Sequence, residues 1–440
     1  MTIRSEALRQ TPEGYFTVRW GLPEYTDWID ESLSSKQTCY IGDWSFLWER
    51  RFRGPDVLKL FSDVSVNSFA KFAVGQAKHV IHCNEDGKVI HEGILSRLGD
   101  DEYMLFGRGG FWVDYKLRHG RYDAASEVDD WFNFQVSGPS AVQVVEKASG
   151  ESVRGIAFMH SGKIRIAGRE VWALRQGMAG EIGYELQGPA EHAGEVYAAV
   201  VAAGQEFGIR RLGGRAAFIN HLEACFPTIV TDYLPAIFGD DMAEYFAEFK
   251  AAMPPYAVTF NVAGSFEADD VSAWYRSPIE LGWARNIKFD HEFIGRAALE
   301  PEVANPRRVM RTLVWDADDV VDVFASLFRR GAPYHYMEIP RDQRGFMYAD
   351  KVLKNGKVVG VATSRGYSYW FRQMLSLCVI DPQSAEPGTD VTVVWGEPGK
   401  PQKEIRAKVA PAPYKKDNRR SDVWAEALAR PLRTIRGNER

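Results

Sequence analysis

Cysteine is scarce in this chain: four in 440 residues, Cys39, Cys83, Cys225 and Cys378, far apart and with no CxxC pair. That usage excludes a disulfide framework or a zinc knuckle and suits a reducing compartment. Long apolar runs are missing as well. Nowhere do about 18 apolar residues follow one another, the length that a membrane-spanning helix needs. The N-terminal stretch MTIRSEALRQTPEGYF carries no apolar leader core. The sequence therefore predicts a soluble, cytoplasmic protein with no membrane partner. A basic excess is also lacking: 54 Lys and Arg stand against 59 Asp and Glu, a net charge of -5, so nothing points to nucleic acid or an anionic surface. No P-loop, GxSxG, HExxH or EF-hand occurs, and the nine histidines show no ligand spacing, so no metal is expected. The glycines at 177, 180 and 183 are not spaced as GxGxxG, which argues against a nicotinamide cofactor.

Hydrophobic residues at 45% and charged residues at 26% are ordinary for a globular chain, which excludes disordered, collagen-like and coiled-coil classes. The length allows two to four domains of about 100–200 residues each. Aromatic residues are plentiful: 13 Trp, 18 Tyr and 25 Phe. Rings line pockets for flat ligands and also fill plain cores, so they lean only slightly towards an enzyme.

AKHVIHCNEDGKVIHEGILSRL predicts two strands around a turn at Asp86-Gly87. Ser137-Gly-Pro-Ser and Gly188-Pro-Ala-Glu each open a helix after a strand-like run, with proline near the first turn. Up to about residue 300 the pattern is α+β rather than an alternating parallel sheet. Beyond Glu300-Pro-Glu-Val-Ala-Asn-Pro the chain turns strand-rich: MRTLVW, YADKVLKNGKVVGVATS, QMLSLCVI, GTDVTVVW and EIRAKVA, with a hairpin turn at Asn355-Gly356. This predicts a body over 1–304, an antiparallel β-barrel domain over 305–415, and a basic helical tail over 416–440.

Four segments occur in a telling order: Gly177-Met-Ala-Gly-Glu181-Ile-Gly-Tyr184-Glu185-Leu; Leu212-Gly-Gly-Arg-Ala-Ala-Phe-Ile-Asn-His-Leu222-Glu223-Ala; Pro278-Ile-Glu280-Leu-Gly-Trp283 followed by Phe293-Ile-Gly-Arg; and Gly360-Val-Ala-Thr-Ser-Arg-Gly. Together they resemble the folate-dependent aminomethyltransferase family, that of the glycine cleavage T-protein. Pro23-Glu-Tyr-Thr-Asp-Trp28, Arg53-Gly-Pro-Asp56 and Phe106-Gly-Arg108 are similar to the family's aromatic O-demethylase branch. The resemblance implies an aminomethyltransferase-like folate-binding body with a C-terminal antiparallel barrel.

It also implies site residues. Glu223 falls where the family reads the pterin edge, and a carboxylate can accept from the ring's amino group and neighbouring N–H together. Glu181, Tyr184 and Trp283 belong to the same cofactor side. Arg108, among glycines, suits the carboxylate of an aromatic acid, with Tyr233 as a second substrate-side group. Tyr256 follows Pro254-Pro255 near the spacing of a catalytic tyrosine of the demethylases and would stabilise or protonate the leaving phenolate. Where T-proteins carry an Asp pair, this chain has His91-Glu92, which argues against aminomethyl chemistry and leaves His91 as a candidate base. Where the demethylases carry Gln and His, Asp43-Trp44-Ser45-Phe46 offers an acid and a ring instead, so Asp43 is a second candidate base. Bland readings stand beside each: a packed hairpin histidine, a turn carboxylate, a surface ion pair.

The expected activity is tetrahydrofolate-dependent transfer of a methyl group from a methoxylated, lignin-derived aromatic. The alternatives are a folate-independent lyase releasing formaldehyde from a hydroxymethyl group of an aromatic dimer, and a non-catalytic folate-binding protein.

Overall fold

The computed structural model describes residue 9 and residues 21–254, 258, 260–342 and 347–424. The chain gathers into two compact units, each built from separate stretches. The first takes Met1–Phe16, Leu47–Asp129 and Cys225–Tyr414; the second takes Thr17–Phe46, Asp130–Ala224 and Lys415–Arg440. The division expected above is linear, whereas these units are discontinuous. The basic tail expected at 416–440 falls largely on 425–440, outside the described residues.

The second unit is built on a six-stranded sheet in the order Ile209–Arg211, Cys39–Asp43, Trp131–Ser137, Gly183–Pro189, Arg169–Arg175, Ser161–Ile166. Only the first pair is parallel. Side chains alternate across a strand with period two, and here the alternation divides function. Cys39, Ile41, Phe134, Val136, Tyr184 and Leu186 share one core with Val142, Val145, Val196 and Val200 of the helices Ala141–Ser149 and Ala193–Gly204. Each such buried side chain contributes roughly 1.5–3 kcal/mol. The opposite face carries Tyr40, Asn133, Gln135, Glu185 and Gln187, all buried. Two further helices, Trp28–Gln37 and Gly214–Ala224, pack against each other. The first is started by Asp27, whose carboxylate accepts from the backbone N–H groups of Ile29 and Asp30, both at 2.9 Å.

The first unit holds an antiparallel five-stranded sheet, ordered Ala77–Cys83, Val89–Arg97, Glu102–Phe106, Glu49–Arg53, Ala125–Asp129. The expected hairpin is present, its turn tied by Asn84, whose side chain accepts from the Lys88 N–H at 2.9 Å. The strand-rich stretch closes into an antiparallel six-stranded barrel: Val309–Trp315, Gln373–Ile380, Lys357–Ser368, Asp350–Lys354, Asp390–Trp395, Lys403–Ala410. Asn355 and Gly356 turn its tightest hairpin, both with positive φ (53° and 73°), the conformation that selects Asn-Gly. The fold is α+β with a C-terminal antiparallel barrel, as expected. Among the described residues no helix is long and apolar enough to cross a membrane.

Candidate active site

The residues singled out from the sequence divide between the units. His91, Arg108, Tyr233 and Trp283 lie in the first; Asp43, Glu181, Tyr184 and Glu223 lie in the second. Tyr256 lies outside the described residues.

In the first unit, cross-strand pairing sets His82 opposite His91, so both rings leave the same face of the sheet. The helix Gly109–His119 starts on that face. A Cβ on Gly109 would stand 2.9 Å from His82 Nε2, so glycine is what allows the helix this close. Arg108, buried, precedes the helix and lays its guanidinium 5.3 Å from the centre of the Trp48 ring. His91 is fully buried, with its ring 5.1 Å from that of Phe249 and 6.1 Å from that of Tyr245. Tyr245 meets Trp112 edge-on at 4.9 Å. Burial, and then the Arg108 charge, push His91 well below the ordinary histidine range, so the ring is neutral. Burial pushes His82 down to about 4, and its Nδ1 faces the Val64 carbonyl at 3.0 Å. Neither ring nitrogen of His91 has a hydrogen-bond partner among the described residues, nor do the Tyr245 hydroxyl, the Trp112 indole N–H or the Tyr233 hydroxyl.

Tyr233 is fully buried, edge-on to Trp283 at 6.0 Å. Trp283 in turn meets His79 edge-on at 4.8 Å, and His79 Nε2 bonds Glu92 at 3.0 Å. Burial raises the Tyr233 phenol well above its ordinary range, opposed by the Arg108 charge. Its neighbour Asp232 accepts from Thr363 Oγ1 at 2.6 Å and from the Thr228 N–H at 2.8 Å, and also bonds Ser364. The Gly360–Gly366 motif of the barrel therefore acts as a clasp on the loop that carries Tyr233.

In the second unit, Glu223 is almost wholly buried and forms an ion pair with Lys36 at 2.5 Å, both side chains at most 2% exposed. Lys36 also donates to the Ser32 carbonyl at 2.8 Å and to Asn220 at 3.0 Å. Glu181 accepts from Lys415 at 2.6 Å and Asn418 at 2.8 Å. Tyr184 lies on the helix-covered face, its hydroxyl donating to the Val153 carbonyl at 3.2 Å. The structure thus brings Tyr184 to neither cluster. Its neighbour Glu185 faces the polar side instead, where Gln176 and Gln187 donate to it at 2.9 and 3.2 Å and Asn133 adds a third bond. Burial pushes Glu185 up to about 7. Tyr40 donates to Gln135 beside it. Four amide atoms here, Gln135 Nε2, Asn133 Oδ1, Gln176 Oε1 and Asn220 Nδ2, have no partner among the described residues. Asp43 is half-buried at the strand end and accepts from the Ser45 N–H at 2.9 Å, a turn-making bond. Gly42 beside it is obligatory, since a Cβ would fall 2.0 Å from the Trp44 ring.

The model of the GCVT N-terminal domain matches residues 12–239, and that of the glycine cleavage T-protein C-terminal barrel domain matches 337–415. The chain belongs to the glycine cleavage T-protein family. Within it, a sesamin methylene transferase from Sinomonas sp. is 36% identical over 93% of both chains. A syringate O-demethylase from Sphingobium sp. is 34% identical over 90% of both. These relatives bear out the resemblance to the aromatic O-demethylase branch. An aminomethyltransferase from Halothermothrix orenii is 25% identical over 85% of this chain and 89% of its own. The aminomethyltransferase T structure from Bartonella henselae superposes with a TM-score of 0.67 at 18% identity, over 94% of this chain and 96% of its own. That likeness shows the T-protein fold.

Sequence reasoning missed Lys36, Glu185, Trp112 and Tyr245. Tyr245 and Phe249 are four apart on the helix Ala243–Ala252, an aromatic stripe that could have been read. Lys36 gave no such signal, because a helix reading Ser-Leu-Ser-Ser-Lys has the look of a solvated one.

Proposed function

We propose that the protein is a tetrahydrofolate-dependent O-demethylase, moving the methyl group of a methoxylated, lignin-derived aromatic to tetrahydrofolate. The observation that carries this reading is Arg108: a buried guanidinium beside an indole, with Tyr233 and His91 inside its electrostatic reach. A planar fork of N–H donors among rings suits an aromatic carboxylate. Tyr233, which burial keeps protonated, donates a hydrogen bond to the phenolate that forms as the aryl ether's O–CH3 bond breaks. The clasp on Asp232 fixes where that hydroxyl points. Tyr256 remains the other proposed proton donor, and Asp43 and His91 are the proposed bases of the alternative chemistry. Neutral, buried His91 is better suited to hydrogen bonding than to holding a proton.

The second unit's polar groups fit a pterin. Its ring edge alternates donors and acceptors, and the amide atoms of Asn133, Gln135, Gln176 and Asn220 that have no partner among the described residues stand with buried carboxylates that can accept from it. Glu223 would hold the ring's amino edge, with Glu181 as a second cofactor-side carboxylate, and Lys36 pairs with the Glu223 carboxylate. We propose Trp283 as a further cofactor-side ring, and Tyr184 as a support to that side through its core packing. Tetrahydrofolate, when bound, supplies the ring nitrogen that takes the carbon. The sesamin methylene transferase favours a second reading, in which the carbon comes from a methylene bridge between two aryl oxygens.

The test is incubation with dimethoxybenzoate, with and without tetrahydrofolate. Phenol formation that requires folate is expected. Folate-free formaldehyde from a hydroxymethylated aromatic dimer would establish the lyase alternative, and folate binding without any turnover the non-catalytic one.

A further inference from the structure

Three buried polar side chains of the first unit form one group. Tyr245 is 2%, Trp112 3% and His91 0% exposed. Their rings are neighbours in series, Trp112 to Tyr245 at 4.9 Å and Tyr245 to His91 at 6.1 Å. The Tyr245 hydroxyl, the Trp112 N–H and both His91 nitrogens have no hydrogen-bond partner among the described residues. A donor buried without an acceptor is costly, and here three such side chains are neighbours. The surroundings are aromatic: Phe249 lies against His91 and Tyr245, and Phe111 lies against Phe249.

The chemistry of the set narrows what it can receive. An indole N–H only donates, and a phenol and a neutral imidazole each offer one proton. The second nitrogen of neutral His91 stays an acceptor, while the three protons that the set offers, among rings, match a flat molecule bearing oxygens that accept. That describes an aryl ether, and a free ring C–H does not satisfy it.

We infer that Tyr245, Trp112 and His91 form a donor set that selects ether-substituted aromatic acids over unsubstituted ones by hydrogen bonding the ether oxygens. The inference rests on the proposed aromatic substrate and names the groups that read its substituents. Arg108 holds the acid end and does not distinguish one substituted ring from another; the donor set does.

The experiment titrates wild-type protein and the variants Tyr245→Phe, Trp112→Phe and His91→Phe with benzoate and with dimethoxybenzoate, following tryptophan fluorescence and heat. Wild type should bind dimethoxybenzoate about tenfold or more tightly than benzoate, the scale of one or two hydrogen bonds. Tyr245→Phe removes a single oxygen and keeps the ring packing, so it should bring the two affinities within about threefold of each other by weakening dimethoxybenzoate alone. Trp112→Phe and His91→Phe should shrink the preference in the same way. A preference that survives intact in all three variants overturns the inference and leaves the Arg108 reading standing, with water alone as the donors' partner. Absence of binding of either acid to wild type overturns both.

Discussion

The two units bury polarity in different ways. In the second, the buried carboxylates are met by their own chain: Glu223 by Lys36, Glu181 by Lys415 and Asn418, Glu185 by three amides. In the first, the neutral donors Tyr245, Trp112 and His91 have no hydrogen-bond partner among the described residues. The difference teaches which groups a fold must hold rigid and which it can leave for a ligand. Charges left unpaired in a low-dielectric interior cost too much to persist, so a fold must neutralise them itself. Neutral donors cost about 1–3 kcal/mol each, a sum that a bound molecule can return.

The hardest way to break the comparison is to strip one partner from a paired carboxylate. Lys36→Met takes the Lys36 charge away from buried Glu223, which should destabilise the protein by about 3–5 kcal/mol. Thermal unfolding against wild type measures it. The double variant Lys36→Met/Glu223→Gln removes both charges and should recover most of that loss. No recovery would mean that Lys36 contributes by its bonds to Ser32 and Asn220 rather than by the pair.

Glu185 sharpens the contrast, because amides hold it without a cation. Burial pushes its folded pKa up from the ordinary carboxylate range, about 4.5, to about 7, so between those values the folded state binds more protons than the unfolded. Its contribution is fully present below about pH 4.5 and is lost as pH rises through about 7, roughly 3 kcal/mol in all. Asp350 in the barrel, also pushed up to about 7 by burial, acts with the same sign. Glu185→Gln should therefore remove part of the slope of stability between pH 4.5 and 7 and leave the Asp350 part. An unchanged slope would show that Glu185 titrates normally.

How these residues were or were not legible follows from the same physics. The barrel and the hairpins could be read because their signals are local: alternating strands, Asn355-Gly356, the turn at Gly87. The T-protein motif drew attention to Glu223 and the O-demethylase resemblance to Arg108, and both side chains are buried. Tyr184 and Glu185 stand side by side in one motif, yet strand alternation sends the first to the helix-covered core and the second to the polar face. A motif read as a unit cannot see that division. Lys36 was hidden because ion pairing is a tertiary fact, and nothing local to its helix says that its serines are buried.

Next in size is the separation of the two ligands. Glu223→Gln, in the Lys36→Met background to protect folding, should weaken tetrahydrofolate binding roughly 10- to 150-fold, the loss of one charge-assisted bond of about 1.5–3 kcal/mol. Binding of dimethoxybenzoate should be unchanged. Arg108→Ala should do the reverse. Calorimetric titration of both variants with both ligands checks it, and a variant that loses both ligands equally would dissolve the assignment of one to each group.

The smallest expected effect concerns Asp43, where two roles differ by orders of magnitude. Its carboxylate accepts from the Ser45 N–H at 2.9 Å beside a glycine that the Trp44 ring makes obligatory. A turn residue of this kind is there to shape the strand end. Asp43→Asn keeps the accepting oxygen, so stability should shift by no more than about 0.5 kcal/mol, and turnover of an aromatic ether should stay within about twofold. If Asp43 instead removes a proton, as the lyase chemistry needs, the amide cannot replace it and the rate should fall about 10²- to 10⁴-fold. Asp43→Ala separates the roles further. Losing the turn bond should cost about 0.5–1.5 kcal/mol of stability. A rate that follows stability, and not the acid, places Asp43 with the paired carboxylates of its unit.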